Sequence, residues 1–95
     1  MISDIMSHFD YGYSNFQDNV PLGGETRHVD FNKTFSKPPV VIVCWAEGSL
    51  EDVGAYCKHL QVVRSSITTT GFDAGTDRLN GDGSWGFYYF AFESF

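Results

Sequence analysis

Four side chains of this 95-residue chain have the chemistry to grip a polyol: Asp18, His59, Asn80 and Trp85. A carboxylate accepts hydrogen bonds from vicinal hydroxyls, a side-chain amide donates and accepts, and a neutral imidazole does one of each. An indole offers a flat apolar face to a pyranose ring. Each residue also has a plainer reading. Asp18, Asn80 and the nearby Asp82 are ordinary turn residues. His59, beside Lys58, can be a solvated strand position, and Trp85 can open a core strand ahead of Phe87 and Tyr89. The flanking Gly83 and Gly86 favour a ring close to a loop.

Other reactive residue types fall short of a site. Cys57 and His59 would share a strand face, but no acid is placed to orient the imidazole, so the chain reads as non-enzymatic. Asp73 and Asp77 begin Gly-rich runs, yet neither has a carboxylate at the twelfth position of an EF-hand loop. No metal and no cofactor are therefore expected. Asn32-Lys33-Thr34 has the form of an N-glycosylation acceptor.

These residues hang on strands and turns. A first strand is expected near residues 6–13, where aromatics alternate loosely with polar residues. Residues 17–24, with Pro21 and Gly23-Gly24, have the chemistry of an exposed loop. From Glu25, Thr26, His28 and Asp30 alternate against Arg27, Val29 and Phe31, the period of a half-buried strand. Pro38-Pro39 cannot donate ladder bonds and marks the next boundary. The unbroken apolar run from Val40 to Ala46 predicts a central strand covered on both faces, with Cys44 buried in it.

A further strand is expected from Tyr56 to Ser66, bending into Ile67–Phe72. Asp73 to Ser84 is dense in Asp and Gly and reads as turn, and Trp85 to Phe95 closes the chain as an aromatic strand. Strands recurring at about 10–14 residues indicate an all-β sandwich or barrel. The chain reads as one domain, with residues 1–24 as an N-terminal strand and loop and 25–95 as the core.

Composition narrows the class of partner. Twelve acidic residues against six scattered cations give a net charge of −6, which repels phosphate backbones, so no nucleic acid is expected. No stretch approaches the ~18 apolar residues of a membrane span. Met1–His8 lacks the basic start and apolar run of a signal peptide, so none is expected in this chain. Aromatics are 17% of the residues, which excludes disorder and suits pleated strands. A chain this short buries only about 60–70% of its unfolded surface, so further burial in an oligomer is expected. Cys44 and Cys57 can pair or stay reduced.

The order of motifs adds a resemblance. Val29-Asp30-Phe31, Pro38-Pro39-Val40-Val41, Leu60-Gln61-Val62-Val63, Thr70-Gly71-Phe72 and Tyr89-Phe90-Ala91-Phe92-Glu93, with Asp10-Tyr11-Gly12 before them, resemble the H-type lectins of snail agglutinins and discoidins. The resemblance covers about residues 8–95. It implies a six-stranded antiparallel β-sandwich that forms homotrimers, sometimes paired as hexamers. It further implies metal-free binding of surface glycans of galactose or N-acetylgalactosamine type, at clefts near the boundaries between protomers. Carried over by position, the family's loop acid falls at Asp18 and its strand cation at His59. Leu79-Asn80 replaces its Trp-His pair, and Trp85 supplies an aromatic nearby.

A second expectation uses the same trimer structurally, as a virion fibre, tail or decoration protein that also attaches to host glycans. Met1 without a signal peptide fits a product released by lysis. An extracellular or virion-surface location is expected on either reading.

Overall fold

Alternation along each strand sorts the apolar residues onto opposite faces, and that sorting builds two layers. The computed structural model describes residues 8–16, 24–46, 59–76 and 85–93. Within them six strands follow in order: β1 (Phe9–Phe16), β2 (Glu25–Asp30), β3 (Val40–Trp45), β4 (Leu60–Val63), β5 (Gly71–Thr76) and β6 (Trp85–Phe92). One sheet has the order β1-β6-β3 and the other β2-β5-β4, with every pair antiparallel. The fold is thus the all-β, six-stranded antiparallel sandwich that the motifs imply. Among the described residues there is no α-helix, only a 3-10 turn at Arg64–Ser66.

The core lies between the sheets and is carried by their central strands. Phe87, Tyr89 and Ala91 of β6 and Phe72 and Ala74 of β5 are almost fully buried. Phe16, Val29, Phe31 and Phe35 complete the cluster. Its rings interlock: Phe16 and Phe87 lie 5.1 Å apart, and Phe72 meets Tyr89 edge-on at 5.5 Å. Burying each such ring stabilises the fold by about 1.5–3 kcal/mol.

Three expectations are corrected. β3 is an edge strand, and only one of its faces is covered. Val41, Val43 and Trp45 pack on the core, while Val40 and Ile42 are exposed on the other side. Cys44 shares that outer side and is a free, exposed thiol. An unbroken apolar run shows that both faces avoid charge; it does not show that this protomer covers both.

β5 continues through Asp73–Thr76, where Gly and Asp had suggested a turn. Its place between β2 and β4 supplies ladder partners on both sides, and pairing of that kind overrides local preference. The strand expected over Tyr56–Ser66 is shorter. β4 ends at Val63, the chain turns at Arg64–Ser66, and Tyr56 to Lys58 lie outside the described residues.

Register and hydrogen bonds separate the two ends of the sandwich. At one end, Phe16 pairs with Trp85 and Thr76 lies between Glu25 and Leu60. The connections β1–β2, β3–β4 and β5–β6 all depart from that end. The opposite end holds the β2–β3 and β4–β5 connections. There Phe31 and Phe35 donate backbone hydrogen bonds to the carbonyls of Thr70 and Thr69. Thr68 Oγ1 accepts from the amides of Thr70 and Gly71 and shapes the corner before β5.

Two carboxylates tie that second end to β1. Asp10, buried on the inner side of β1, accepts from Tyr89 Oη at 2.9 Å and from the Asn32 backbone amide at 3.0 Å. The Asn32 side-chain amide also reaches Asp10 Oδ1, the Tyr11 carbonyl and Tyr89 Oη. Glu93, just past β6, accepts from the Ser36 amide at 2.8 Å, from Ser36 Oγ at 2.9 Å and from His8 Nδ1 at 2.6 Å. The Ser36 amide, then His8, hold the Glu93 carboxyl down to about 2.

Gly12 makes this packing possible. It faces Tyr89 across the β1–β6 ladder, and a Cβ there would lie 2.6 Å from the Tyr89 ring. That ring cannot retreat, because its hydroxyl is tied to Asp10. Gly12→Ala is therefore expected to cost about 1–3 kcal/mol in urea denaturation. Gly75→Ala, whose new Cβ meets its nearest atom at 3.7 Å, should cost less than about 1 kcal/mol. Equal losses for the two variants would contradict this account.

Acid should find the Glu93 cluster. The folded-state value of Glu93 lies below its ordinary 4.5, so its ionised form stabilises the fold above about pH 4.5. That contribution is lost as pH falls through 4.5 towards about 2. Glu93→Gln should flatten stability measured over this window, and an unchanged slope would refute the assignment.

Candidate functional site

The outward side of the β2-β5-β4 sheet is polar, and the backbone register sets its side chains in rows. Thr26, Gly75 and Gln61 lie opposite one another across three strands, and His28, Asp73 and Val63 form the next row. Gly75, in the middle of the first row, has no side chain. Over it lies a groove of about 440 Å³ lined by Gly24, Glu25, Thr26, His59, Gln61 and Thr76, with Val63 beside them. That volume falls within the range of small-ligand sites.

Each group has a defined support. His59 and Gln61, two residues apart around the start of β4, share its outer face. His59 Nε2 bonds Gln61 Oε1 at 2.9 Å. With the Gln61 carbonyl used, its amide NH2 remains as a pair of donors. Thr76 is buried and donates to the His59 carbonyl at 2.6 Å, fixing the backbone from which the imidazole projects. Thr26 adds a hydroxyl from β2, across the strand that carries Gly75. Donors and acceptors thus ring a small floor, with one valine as the apolar contact. Such a mixture of donors and acceptors suits hydroxyl groups.

A charged cluster borders the groove in the second row. His28 Nδ1 lies 2.8 Å from Asp73 Oδ1, and Nε2 lies 2.9 Å from Asp30 Oδ1. Ionised carboxylates only accept, so this arrangement favours the imidazolium form, which donates from both ring nitrogens. The hydrogen bond to Asp73, then that to Asp30, raises the His28 pKa above its ordinary 6.5. His28 is on the surface, as its alternation with polar neighbours implied.

Of the four residues singled out from sequence, His59 is exposed and lines the groove. Trp85 is the first residue of β6, paired with Phe16 at the same end of the sandwich. Asp18 and Asn80 lie outside the described residues, as do Asp82, Cys57 and Lys58. In the sequence Asp18 follows β1 and Asn80 follows β5. Glu25, Thr26, Gln61 and Gly75 were not read as site residues. Gln61 had a signal, since it follows His59 by two positions on a strand. Gly75 had none, because its role depends on which strands flank it. Among the described residues no group of three or more His, Cys, Asp or Glu side chains is placed to hold a metal ion.

The family model of the H-type lectin domain matches residues 26–92 of the chain. The chain belongs to the H-type lectin family. No curated protein and no solved structure matches it. This is a carbohydrate-binding kind of domain, and in this H-type lectin the match runs from β2 through β6. Thr26, His59, Gln61, Val63, Gly75 and Thr76 of the groove fall inside the match. β1 falls outside it, joined to the lectin core through Asp10 and Gly12. No helix among the described residues is long and apolar enough to cross a membrane.

The doubly bonded His28 is open to direct measurement. Its folded-state value is raised, so its contribution to stability is complete below about pH 6.5 and lost as pH rises through the raised value. In an NMR titration the His28 midpoint should lie above 6.5, and Asp73→Asn should bring it down. A midpoint indifferent to that substitution would remove the Asp73 hydrogen bond as the main cause.

Proposed function

We propose that this lectin domain binds surface glycans of galactose or N-acetylgalactosamine type, without catalysis or a metal. It acts as a homotrimer, or as two trimers joined in a hexamer, with sugar clefts near the boundaries between copies. The observation that carries the reading is the groove over Gly75. There the Gln61 amide, the His59 imidazole and the Thr26 hydroxyl surround the space left open by Gly75 of β5. Vicinal hydroxyls need such a mixture of donors and acceptors. Asp18, Asn80 and Trp85 are proposed to join His59 from the chain segments leaving the same end. Trp85 then gives a pyranose face its stacking surface.

A single shallow sugar contact is weak. Three copies presenting the same end would raise the effective concentration of sites and supply useful avidity. Family membership and glycan binding together favour an extracellular or virion-surface setting. A second reading uses the trimer chiefly for assembly, as a fibre, tail or decoration component. The exposed apolar residues of the β1-β6-β3 sheet favour it, because they suit burial between copies.

A glycan array at neutral pH separates the two readings. The wild-type chain should bind galactosides, and His59→Ala or Gln61→Ala should weaken binding about threefold to tenfold, the worth of one hydrogen bond. Unfolding midpoints of both variants should stay near wild type, since both positions are exposed. Silence across galactosides and glucosides from a stably folded oligomer would overturn the lectin reading in favour of assembly.

A further inference from the structure

We infer that Asn32-Lys33-Thr34 is a gated acceptor for an N-linked oligosaccharide, open in the unfolded chain and withheld by the folded sandwich. Asn32 and Thr34 are both exposed, which would leave the triplet usable if exposure decided the matter. The atom that reacts is Asn32 Nδ2, and that atom is engaged. It carries two hydrogens and faces three acceptors: the Tyr11 carbonyl at 3.1 Å, Asp10 Oδ1 at 3.3 Å and Tyr89 Oη at 3.4 Å. The backbone amide of the same residue holds Asp10 Oδ2 at 3.0 Å. Main chain and side chain of Asn32 thus grip one carboxylate together.

Transfer replaces one Nδ2–H bond with a bond from Nδ2 to the anomeric carbon of a lipid-linked oligosaccharide. The bond from that carbon to the lipid pyrophosphate breaks, and the pyrophosphate leaves with the electron pair. Nδ2 gives up its proton to a base of the transferase. A carboxamide nitrogen is a poor nucleophile, because its lone pair is shared with the carbonyl. The transferase must therefore reach the N–H bonds, and here Asp10 and the Tyr11 carbonyl hold them first.

The backbone closes the same gate. Phe31 and Phe35 flank the triplet and are buried, and each donates across the corner at 2.8 Å, to the carbonyls of Thr70 and Thr69. Lys33 lies over the Phe35 ring, with Nζ 5.3 Å from its centroid. Drawing the triplet into a catalytic cleft would pull both rings from the core.

The exclusion runs in both directions. A sugar already on Nδ2 leaves one N–H for three acceptors. Asp10 is buried, and its Oδ1 has no other donor among the described residues. A bulky glycan would also crowd the edge strand β1, whose Tyr11 carbonyl the amide caps. A chain glycosylated before folding therefore loses the contact that seats β1.

Purified full chain incubated with oligosaccharyltransferase and a lipid-linked oligosaccharide tests the gate, with Asn32 occupancy read by peptide mass. Local opening must precede transfer, so folded wild type should react at least about tenfold more slowly than an unstructured peptide of residues 28–36. An unreactive peptide, or a folded chain that reacts equally fast, overturns the inference. Asp10→Asn keeps the shape and gives up one acceptor. If folded by circular dichroism, it should react at least about tenfold faster than wild type; resistance equal to wild type removes Asp10 as the gate. Should Asp10→Asn fail to fold, melting midpoints decide. Thr34→Ala removes the triplet alone and should melt with wild type, while Asn32→Gln should melt about 4–8 °C lower, the worth of about one hydrogen bond at this size. Equal midpoints overturn the gate. Chains glycosylated during translation into microsomes, behind a cleavable leader, should be cut by trypsin at least about tenfold faster than unmodified ones. Equal resistance overturns the exclusion.

Discussion

The hydrogen bond from Tyr89 to Asp10 is the contact on which the arrangement of the first sheet depends. It is made inside the sandwich, where an ionised carboxylate without partners would be severely destabilising. Asp10 has three donors, from Tyr89 and from both amides of Asn32, so the burial is tolerated. Burial, then the bond to Asp10, pushes the phenol well above its ordinary value, so Tyr89 remains a donor at any physiological pH. The ring below that hydroxyl spans the layers. It lies flat against the space left by Gly12 and edge-on to Phe72 of the opposite sheet. One side chain therefore registers β1 on β6 and β6 on β5.

That registration has consequences on both outer surfaces. A strand slipped by one residue reverses every side chain. Slippage of β1 would bring Tyr11 and Tyr13 inward and put Asp10 and Phe16 outside. With the observed register, the β1-β6-β3 face is uncharged and largely aromatic or aliphatic, and the β2-β5-β4 face is largely polar. The same sandwich thus presents an uncharged outer face on one sheet and a polar outer face on the other, and no residue belongs to both.

Much of this was legible in the chain, and the failures share a cause. The double proline before Val40, the Thr-Gly-Phe corner and the aromatic closing strand are local signals, and each falls at the boundary it announces. Alternation on β2 was legible for the same reason: one strand shows its own period. What could not be read was the company each strand keeps. Val40–Trp45 contains no sign that it is an edge, and Cys44 no sign that its face is uncovered within one protomer. Asp73–Thr76 has turn composition and becomes strand only because β2 and β4 flank it. At the groove, His59 was legible as a polar strand residue with hydrogen-bonding chemistry. Glu25 and Thr26 were not, because they reach the groove from a strand far away in sequence, and Gly75 matters through the side chain it lacks.

The support beneath His59 shows how such a site tolerates change. What positions the imidazole is the Thr76 hydroxyl bonded to the His59 carbonyl, a contact to backbone that any residue at 59 would keep. The floor is likewise backbone, from Gly75 on a central strand paired on both sides. Scaffold and recognition are thereby separated: the groove persists whatever donor projects into it. A guanidinium would offer a forked pair of donors and an imidazole offers fewer, so exchanging them alters which hydroxyl pattern is held, not whether the groove exists. Donor chemistry in this groove can therefore vary at exposed positions such as 59 and 61 while the backbone beneath them is kept.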